Sequence, residues 1–315
     1  LEAGARIAVN PEKRHPADFA LWKRAEPGHI MQWPSPWGWG YPGWHIECSV
    51  MSQKYLGETF DIHGGGIENK FPHHECEIAQ AECATGKPFA RYWLHNNMCT
   101  VNGQKMGKSL GNAISLKQIF REGHELLEHT YAPVVVRHFI LTSHYRATLD
   151  FSNPALQAAE KGCYKLRDTL RELSQQAPRA PEKPRSDQIR AALEAFEQRF
   201  TDAMNEDFNS AAAIAAVFDI ARQVEHWLTS EVGREDLLAA DALLNRCVGD
   251  VLGLVWPAES AAERARVEAL VQLLIELRND ARKQKNFALA DTIRDRLAQL
   301  GIELRDTPQG TKYKL

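Results

Sequence analysis

The chain has 315 residues, a quarter of them charged and 44% apolar, with a net charge of −3. That length predicts two or three cores rather than one, and the near-balanced charge excludes a global basic field, so a nucleic-acid partner would need a local basic surface. No run of about 18 apolar residues occurs, which excludes a membrane-spanning helix. Six cysteines without a Cys-x-x-Cys pair exclude a disulfide scaffold and predict reduced thiols in a cytoplasmic protein.

The first residues, Leu1-Glu2-Ala3-Gly4-Ala5, carry no initiator Met and no signal-peptide pattern, and read as the middle of a longer sequence. Residues 1–42 are rich in Pro, Gly and Trp and are expected to be irregular, because each Pro restricts the residue before it. From 44 to about 98 the pattern is mixed α/β. Thr59 to His63 is strand-like and runs into Gly64-Gly65-Gly66, and Glu75 to Cys83 reads as helix. Residues 99–112 read as a polar, Gly-punctuated loop. Helices dominate after 113. Ser115 and Gln118 form a capping box, and Pro133 suits a first helical turn. Ala177 to Pro184 is the clearest linker. Beyond it Ile214, Val217, Phe218, Ala221, Val224 and Leu228 form one helical stripe. Pro257 to Ala262 is a second break. Two more helices follow, with Gly301 as their stop, then a short hairpin over Ile302 to Tyr313.

Two segments carry chemistry. In His73-His74-Glu75-Cys76-Glu77, positions i and i+4 share a helix face, so His73 and Glu77 can converge on one ion. Nitrogen and oxygen donors suit zinc, and a thiolate would complete the mixture. Cys48 is a candidate from a separate segment, and Cys76 is a rival one residue off the face. A solvated helix start with a carboxylate near the helix dipole meets the same spacing. The second segment, Lys105-Met106-Gly107-Lys108-Ser109-Leu110-Gly111-Asn112, packs two lysines and a serine between glycines. Such a loop can close over a triphosphate, or be an ordinary basic surface loop. It is not a Walker P-loop.

Lys105 to Ser109 resembles the Lys-Met-Ser-Lys-Ser signature of class I aminoacyl-tRNA synthetases, with Gly107 in place of the Ser. Asp18 to Lys23, Pro42 to Ser49, Asp61 to Gly66 and Phe71 to Glu75 follow in the order of cysteinyl-tRNA synthetases, and the resemblance runs essentially from residue 1 to 315. The chain departs from the family pattern at Gly107, at Glu68 (usually Asp) and at Cys76 (often Asn).

The resemblance implies an α/β Rossmann-type catalytic core, its C-terminal half present, followed by an α-helical bundle and a small mixed anticodon-binding domain. The implied boundaries are 1–42 for the end of a connective insertion, 43–98 for the second half of the Rossmann domain, 99–153 for a stem-contact region with the lysine loop, 154–256 for the bundle and 257–315 for the anticodon domain. It implies that L-cysteine is activated with ATP to cysteinyl-adenylate and transferred to the 3′ end of tRNA(Cys), by a monomer using Zn2+, and Mg2+ with ATP. Zinc would be held by Cys48, His73, Glu77 and one further Cys near the N-terminus of the full enzyme, where the His-Ile-Gly-His ATP signature also lies. The chain alone is therefore expected not to activate cysteine. Lys105, Lys108 and Ser109 take the catalytic loop role, and Gly64, Gly65, Gly66 and Lys108 contact ATP. Trp44 walls the cysteine pocket and His63 contacts the substrate or adenylate; a core Trp and a turn His are the plainer alternatives. Arg282, Asp291 and Arg294 read the anticodon, with Phe287 stacking on a base and Lys312, Tyr313 and Lys314 near phosphates. Two other readings fit part of the pattern: a cysteine ligase of mycothiol biosynthesis, which lacks an anticodon domain, and a catalytically dead tRNA-binding paralogue.

Overall fold

The computed structural model describes residues 13–257, 261–300, 302–307 and 310–314; the expected helix stop at Gly301 lies outside them. The chain divides into two units, one ending at Val255 and one beginning at Trp256.

In the first unit, β1 (Trp22–Arg24) pairs antiparallel with β2 (Gly40–Pro42). Residues 13–21 and 25–39 are otherwise irregular, as their Pro and Gly content predicts. α1 (Trp44–Leu56) follows directly. β3 (Phe60–Gly66) then leads through a short turn and a wide helical turn at Lys70–His74 into α2 (Glu75–Thr85), which ends on left-handed Gly86. β4 (Ala90–Asn96) returns parallel to β3, so these elements form a β-α-β unit. Phe60, Ala81 and Phe89 make its small buried core; complete burial of a side chain such as Phe89 contributes about 1.5–3 kcal/mol.

Residues 99–112, read above as a polar loop, instead contain a hairpin: β5 (Cys99–Val101) pairs with β6 (Gln104–Lys105). The turn is Asn102-Gly103, with φ of 50° and 78°. Two left-handed residues match the twist of the flanking strands, and Asn-Gly is the pair that adopts them most readily. The capping box forms as expected, Ser115 N–H donating to Gln118 Oε1 (2.9 Å) and Gln118 N–H to Ser115 Oγ (3.2 Å). α3 (Pro133–Leu141) starts on its Pro, and β7 (Leu149–Asp150) joins β5 in parallel.

α4 (Asn153–Gln176), α5 (Asp187–Asn205), α6 (Ser210–Leu228) and α7 (Arg234–Leu244) pack as a helical bundle around Leu156, Leu166, Leu173, Ile220, Val224 and Leu244. Of the expected stripe, Ile214, Val217, Ala221 and Val224 are buried and Phe218 and Leu228 half-buried. Side-chain oxygens of Ser186 and Asn209 cap α5 and α6. The Pro-rich segment 177–184 is no free linker: Ala177 and Ala180 are buried, and Arg234 donates to the carbonyls of Ala180 and Pro181. It is a connection packed inside the bundle, because the small side chains of Ala177 and Ala180, beside its prolines, fit against α7. The bundle's last turn docks on α3, where Arg137 Nε donates to Leu252 O at 2.7 Å. Gly253 (φ 64°) passes beneath the same guanidinium, 2.7 Å from where a Cβ would stand.

In the second unit, α8 (Ala261–Lys283) packs on α9 (Phe287–Gln299), and β8 (Glu303–Thr307) pairs antiparallel with β9 (Gly310–Lys314).

Candidate metal centre and lysine loop

Glu77 on α2 is fully buried, and a buried carboxylate must be paired to persist. His63 Nε2, from β3, lies 2.6 Å from its Oε2, and His73 Nε2 lies 2.7 Å from its Oε1. Cys48 Sγ, from α1, stands 3.6 Å from that same His73 nitrogen. Behind this layer His45 Nδ1 meets His73 Nδ1 (2.7 Å), and His74 Nδ1 meets His95 Nε2 of β4 (2.8 Å). His63 thus lies on β3, as the strand-like run of 59–63 predicts, and bonds to Glu77. Trp44 is no core residue: it is 57% exposed and stacks on the His73 ring at 3.9 Å.

Among the described residues, two sets of donor atoms lie within 4.8 Å of one another: Cys48, His73 and Glu77, and His63, His74 and Glu77. Zinc fits the first set. Oε1 of Glu77 is buried and makes no well-aligned hydrogen bond although His73 Nε2 stands 2.7 Å away, an arrangement that a cation shared by the two atoms would satisfy. The 3.6 Å between Cys48 and His73 is close to the edge of a zinc tetrahedron, about 3.5 Å for bonds of about 2.0 and 2.3 Å. Cys76 is buried outside both sets.

The electrostatics agree with that fit. Burial, with the Glu77 charge adding to it, pushes the Cys48 thiol up to about 11; a bound divalent cation inverts this and favours thiolate. Burial alone would raise Glu77, but the hydrogen bond and charge of His63, then His73 and Cys48, hold it below the usual carboxylate range. Burial lowers His74 to about 4 against the opposing pull of Glu77. It also lowers His45, helped by His73, and His95, helped by Lys70.

The triple glycine has a packing reason. In the β3–β4 register Gly65 lies opposite His95. A Cβ on Gly65 would stand 2.8 Å from His74 Cε1, so the missing side chain is the space through which His74 reaches His95. The Glu68 carboxylate occupies the equivalent space over Gly66, while Gly64 has room for a Cβ.

The lysine loop leaves β6 and turns at Lys108–Leu110 onto left-handed Gly111. Asn112 staples it: Gly107 N–H donates to Asn112 Oδ1 (2.9 Å), and the Asn112 amide donates to Lys105 O (3.0 Å). Asp150 Oδ1 holds the preceding turn, accepting from Thr100 Oγ1 and Gly103 N–H, each at 2.7 Å. Lys105, Lys108 and Ser109 are exposed, and neither lysine forms an ion pair among the described residues. In the second unit Arg282 lies in the last turn of α8. On α9, Arg294 pairs with Asp291 (3.1 Å) and Asp295 (3.0 Å), and Phe287 is exposed. The side chains of Lys312 and Lys314 lie outside the described residues.

Sequence reasoning missed His45, His74, His95, Asn112 and Asp150. His45 stands three residues before Cys48 on a helix, a readable signal. His74 and His95 meet only through the parallel pairing of β3 and β4, which no local pattern announces.

A parallel β-α-β unit bearing a donor cluster, followed by a lysine loop and a helical bundle, is the build of a class I synthetase. Its fold is shared by the LeuRS of Agrobacterium radiobacter K84, solved as a LeuRS–tRNA–LeuAMS ternary complex, at a TM-score of 0.52 and 18% identity over 71% of this chain and 33% of that one. Residues 1–161 match the family model described as tRNA synthetases class I (C) catalytic domain, and the chain belongs to that family. Residues 199–256 match the DALR domain. The chain is 48% identical to the cysteine--tRNA ligase of Chlorobium chlorochromatii (strain CaD3), covering 100% of this chain and 64% of that protein. It is 46% identical to the cysteine--tRNA ligase of Porphyromonas gingivalis, covering 98% and 62%. It thus spans a little under two thirds of the length of these curated relatives. Among the described residues no helix is long and apolar enough to cross a membrane.

Proposed function

We propose that this chain is the larger part of a cysteine--tRNA ligase, acting as a cytoplasmic monomer on ATP, L-cysteine and tRNA(Cys). The observation that carries this reading is the convergence of Cys48, His73 and Glu77, with one buried carboxylate oxygen that makes no well-aligned hydrogen bond. These three residues would hold Zn2+, which when bound supplies a soft Lewis acid that takes a thiolate far better than a hydroxyl. Cysteine and serine are near-isosteric, so pocket shape alone separates them weakly, whereas coordination separates them strongly. Trp44 covers the site beside His73, and His63 keeps Glu77 charged and oriented.

In the first step the cysteine carboxylate oxygen attacks the α-phosphorus of ATP, and the bond to pyrophosphate breaks. Lys108 and Lys105 balance charge on the phosphates, Ser109 adds a hydroxyl donor, and the backbone of Gly64, Gly65 and Gly66 contacts the nucleotide. In the second step a ribose hydroxyl at the tRNA 3′ end attacks the acyl carbon and AMP leaves. The β3-α2-β4 unit serves as the second half of a Rossmann-type sheet (43–98), after the end of a connective insertion (1–42). Residues 99–153 form the stem-contact region, 154–256 form the bundle, and 257–315 read the anticodon through Arg282, Asp291 and Arg294.

Cysteine-dependent ATP–pyrophosphate exchange by the complete protein tests this reading. Lys108→Ala is expected to cut the rate by on the order of 100-fold, the scale of losing one transition-state electrostatic donor. His73→Ala is expected to raise KM for cysteine far more than KM for ATP. Near-normal turnover of Lys108→Ala would exclude the loop's role.

A further inference from the structure

The segment Ser143 to Arg146, between α3 and β7, is gripped from two sides. On one side stands Asn97, the residue after β4. Its N–H donates to Tyr145 O (2.9 Å) and its side-chain amide donates to Arg146 O (3.0 Å). On the other side stands Asp207, in the turn between α5 and α6. Tyr145 Oη donates to Asp207 Oδ1 (2.6 Å), Arg146 Nη2 pairs with Oδ2 (2.7 Å), and His144 Nε2 lies 3.8 Å from the same oxygen. Arg146 Nε donates to Tyr145 Oη (3.3 Å), and Ser210 Oγ donates to Ser143 O (3.5 Å). One carboxylate of the helical bundle therefore fixes a segment whose other contact is the end of the β-α-β unit.

The turn that presents this carboxylate is strained. Asp207 and Phe208 both have φ of 53°, the left-handed region that costs any residue with a side chain, and bulky ones most. Phe208 is 52% exposed, so little burial offsets its strain. Strain of this kind persists where the surroundings over-determine it, and it clusters at sites that need a group aimed. Here the aimed group is the Asp207 carboxylate. Asn97 joins β4, which carries His95, to β5, which opens the hairpin to Lys105. Leu149 N–H donates to Met98 O (3.2 Å) and β7 pairs with β5, so the gripped segment is tied directly to the hairpin.

We propose that Asp207 is a positioning residue for the lysine loop: through Tyr145 and Asn97 it sets how the β5–β6 hairpin leaves β4, and so where Lys105 and Lys108 stand relative to the donor cluster. The reaction this serves rests on the reading of the loop given above; the mechanical link does not. Asp207 touches no reacting atom. Its carboxylate joins the bundle to the catalytic unit at a point where a small rotation displaces the loop, and misplacement of about 1 Å can cost up to about 100-fold in rate.

The test uses the complete protein with Asp207→Asn, which keeps the shape but loses the charge that pairs Arg146, and Tyr145→Phe, which removes one hydroxyl. Asp219→Asn is the control: it breaks the ion pairs to Arg199 and Arg222 on the same bundle without touching 143–146. Amide hydrogen exchange across 98–112 is expected to quicken by about threefold or more in both variants and not in the control, with 44–50 and 73–80 unchanged. In pyrophosphate exchange, kcat is expected to fall about tenfold with KM for cysteine within about twofold. The double variant should be no worse than Asp207→Asn alone, as for residues acting in one chain. Quickening confined to 200–212 overturns the inference, whatever the activity. Quickening at 98–112 with undiminished kcat upholds the link and overturns the catalytic reading of the loop.

Discussion

Glu77 sits at the meeting point of α1, α2 and β3, with a histidine on each oxygen and no exposure. Removing the charge strands two histidines and deletes a metal donor. Glu77→Gln is expected to destabilise the first unit by on the order of 3 kcal/mol, the scale of breaking a buried pair, and to abolish stoichiometric zinc; thermal unfolding and metal analysis read both. A wild-type melting profile would show the buried pair to be dispensable. Far from this cluster, His138 on α3 is buried against Gly162 and Phe218, and neither ring nitrogen has a well-formed hydrogen bond. Burial lowers its pKa, with the Ala159 backbone opposing. The unfolded chain, with a pKa of about 6.5, then takes up the proton first. Stability is full above that value and declines as pH falls below it, by up to about 1.4 kcal/mol per pH unit. His138→Leu should flatten that part of a stability–pH curve; an unchanged slope would assign it to other groups.

At the scale of elements, the hairpin that carries the lysine loop depends on Gly103 at φ 78° and on the Asp150 staple. Gly103→Ala is expected to cost about 1 kcal/mol or more, since a Cβ resists that region, and to loosen 98–112 before the rest of the unit in hydrogen exchange. Uniform loosening would contradict a local role. The helices and β3 were legible because apolar spacing, caps and the Pro at α3 all point the same way. The His73–Glu77 pair was legible for the same reason, as both lie on one turn of one helix. The hairpin was not read, because polar composition masked its Asn-Gly turn. The 177–184 connection was misread because its prolines advertise a linker while its two buried alanines do not announce burial. The link from Asp207 to Asn97 spans 110 positions and the six elements from β5 to α5, beyond any local pattern.

Across the whole molecule, two units divide the labour proposed here. Deleting 256–315 from the complete protein is expected to leave pyrophosphate exchange near normal and to impair transfer to tRNA. Normal charging by the truncated protein would remove Arg282, Asp291 and Arg294 from tRNA recognition. The account turns on the donor cluster, and metal analysis combined with zinc K-edge absorption of the complete protein tests it most directly. It predicts one zinc per chain with a sulfur neighbour at about 2.3 Å, lost in both Cys48→Ala and His73→Ala while the fold persists. Folded protein without stoichiometric zinc, or zinc retained with the same sulfur ligation in Cys48→Ala, would contradict it.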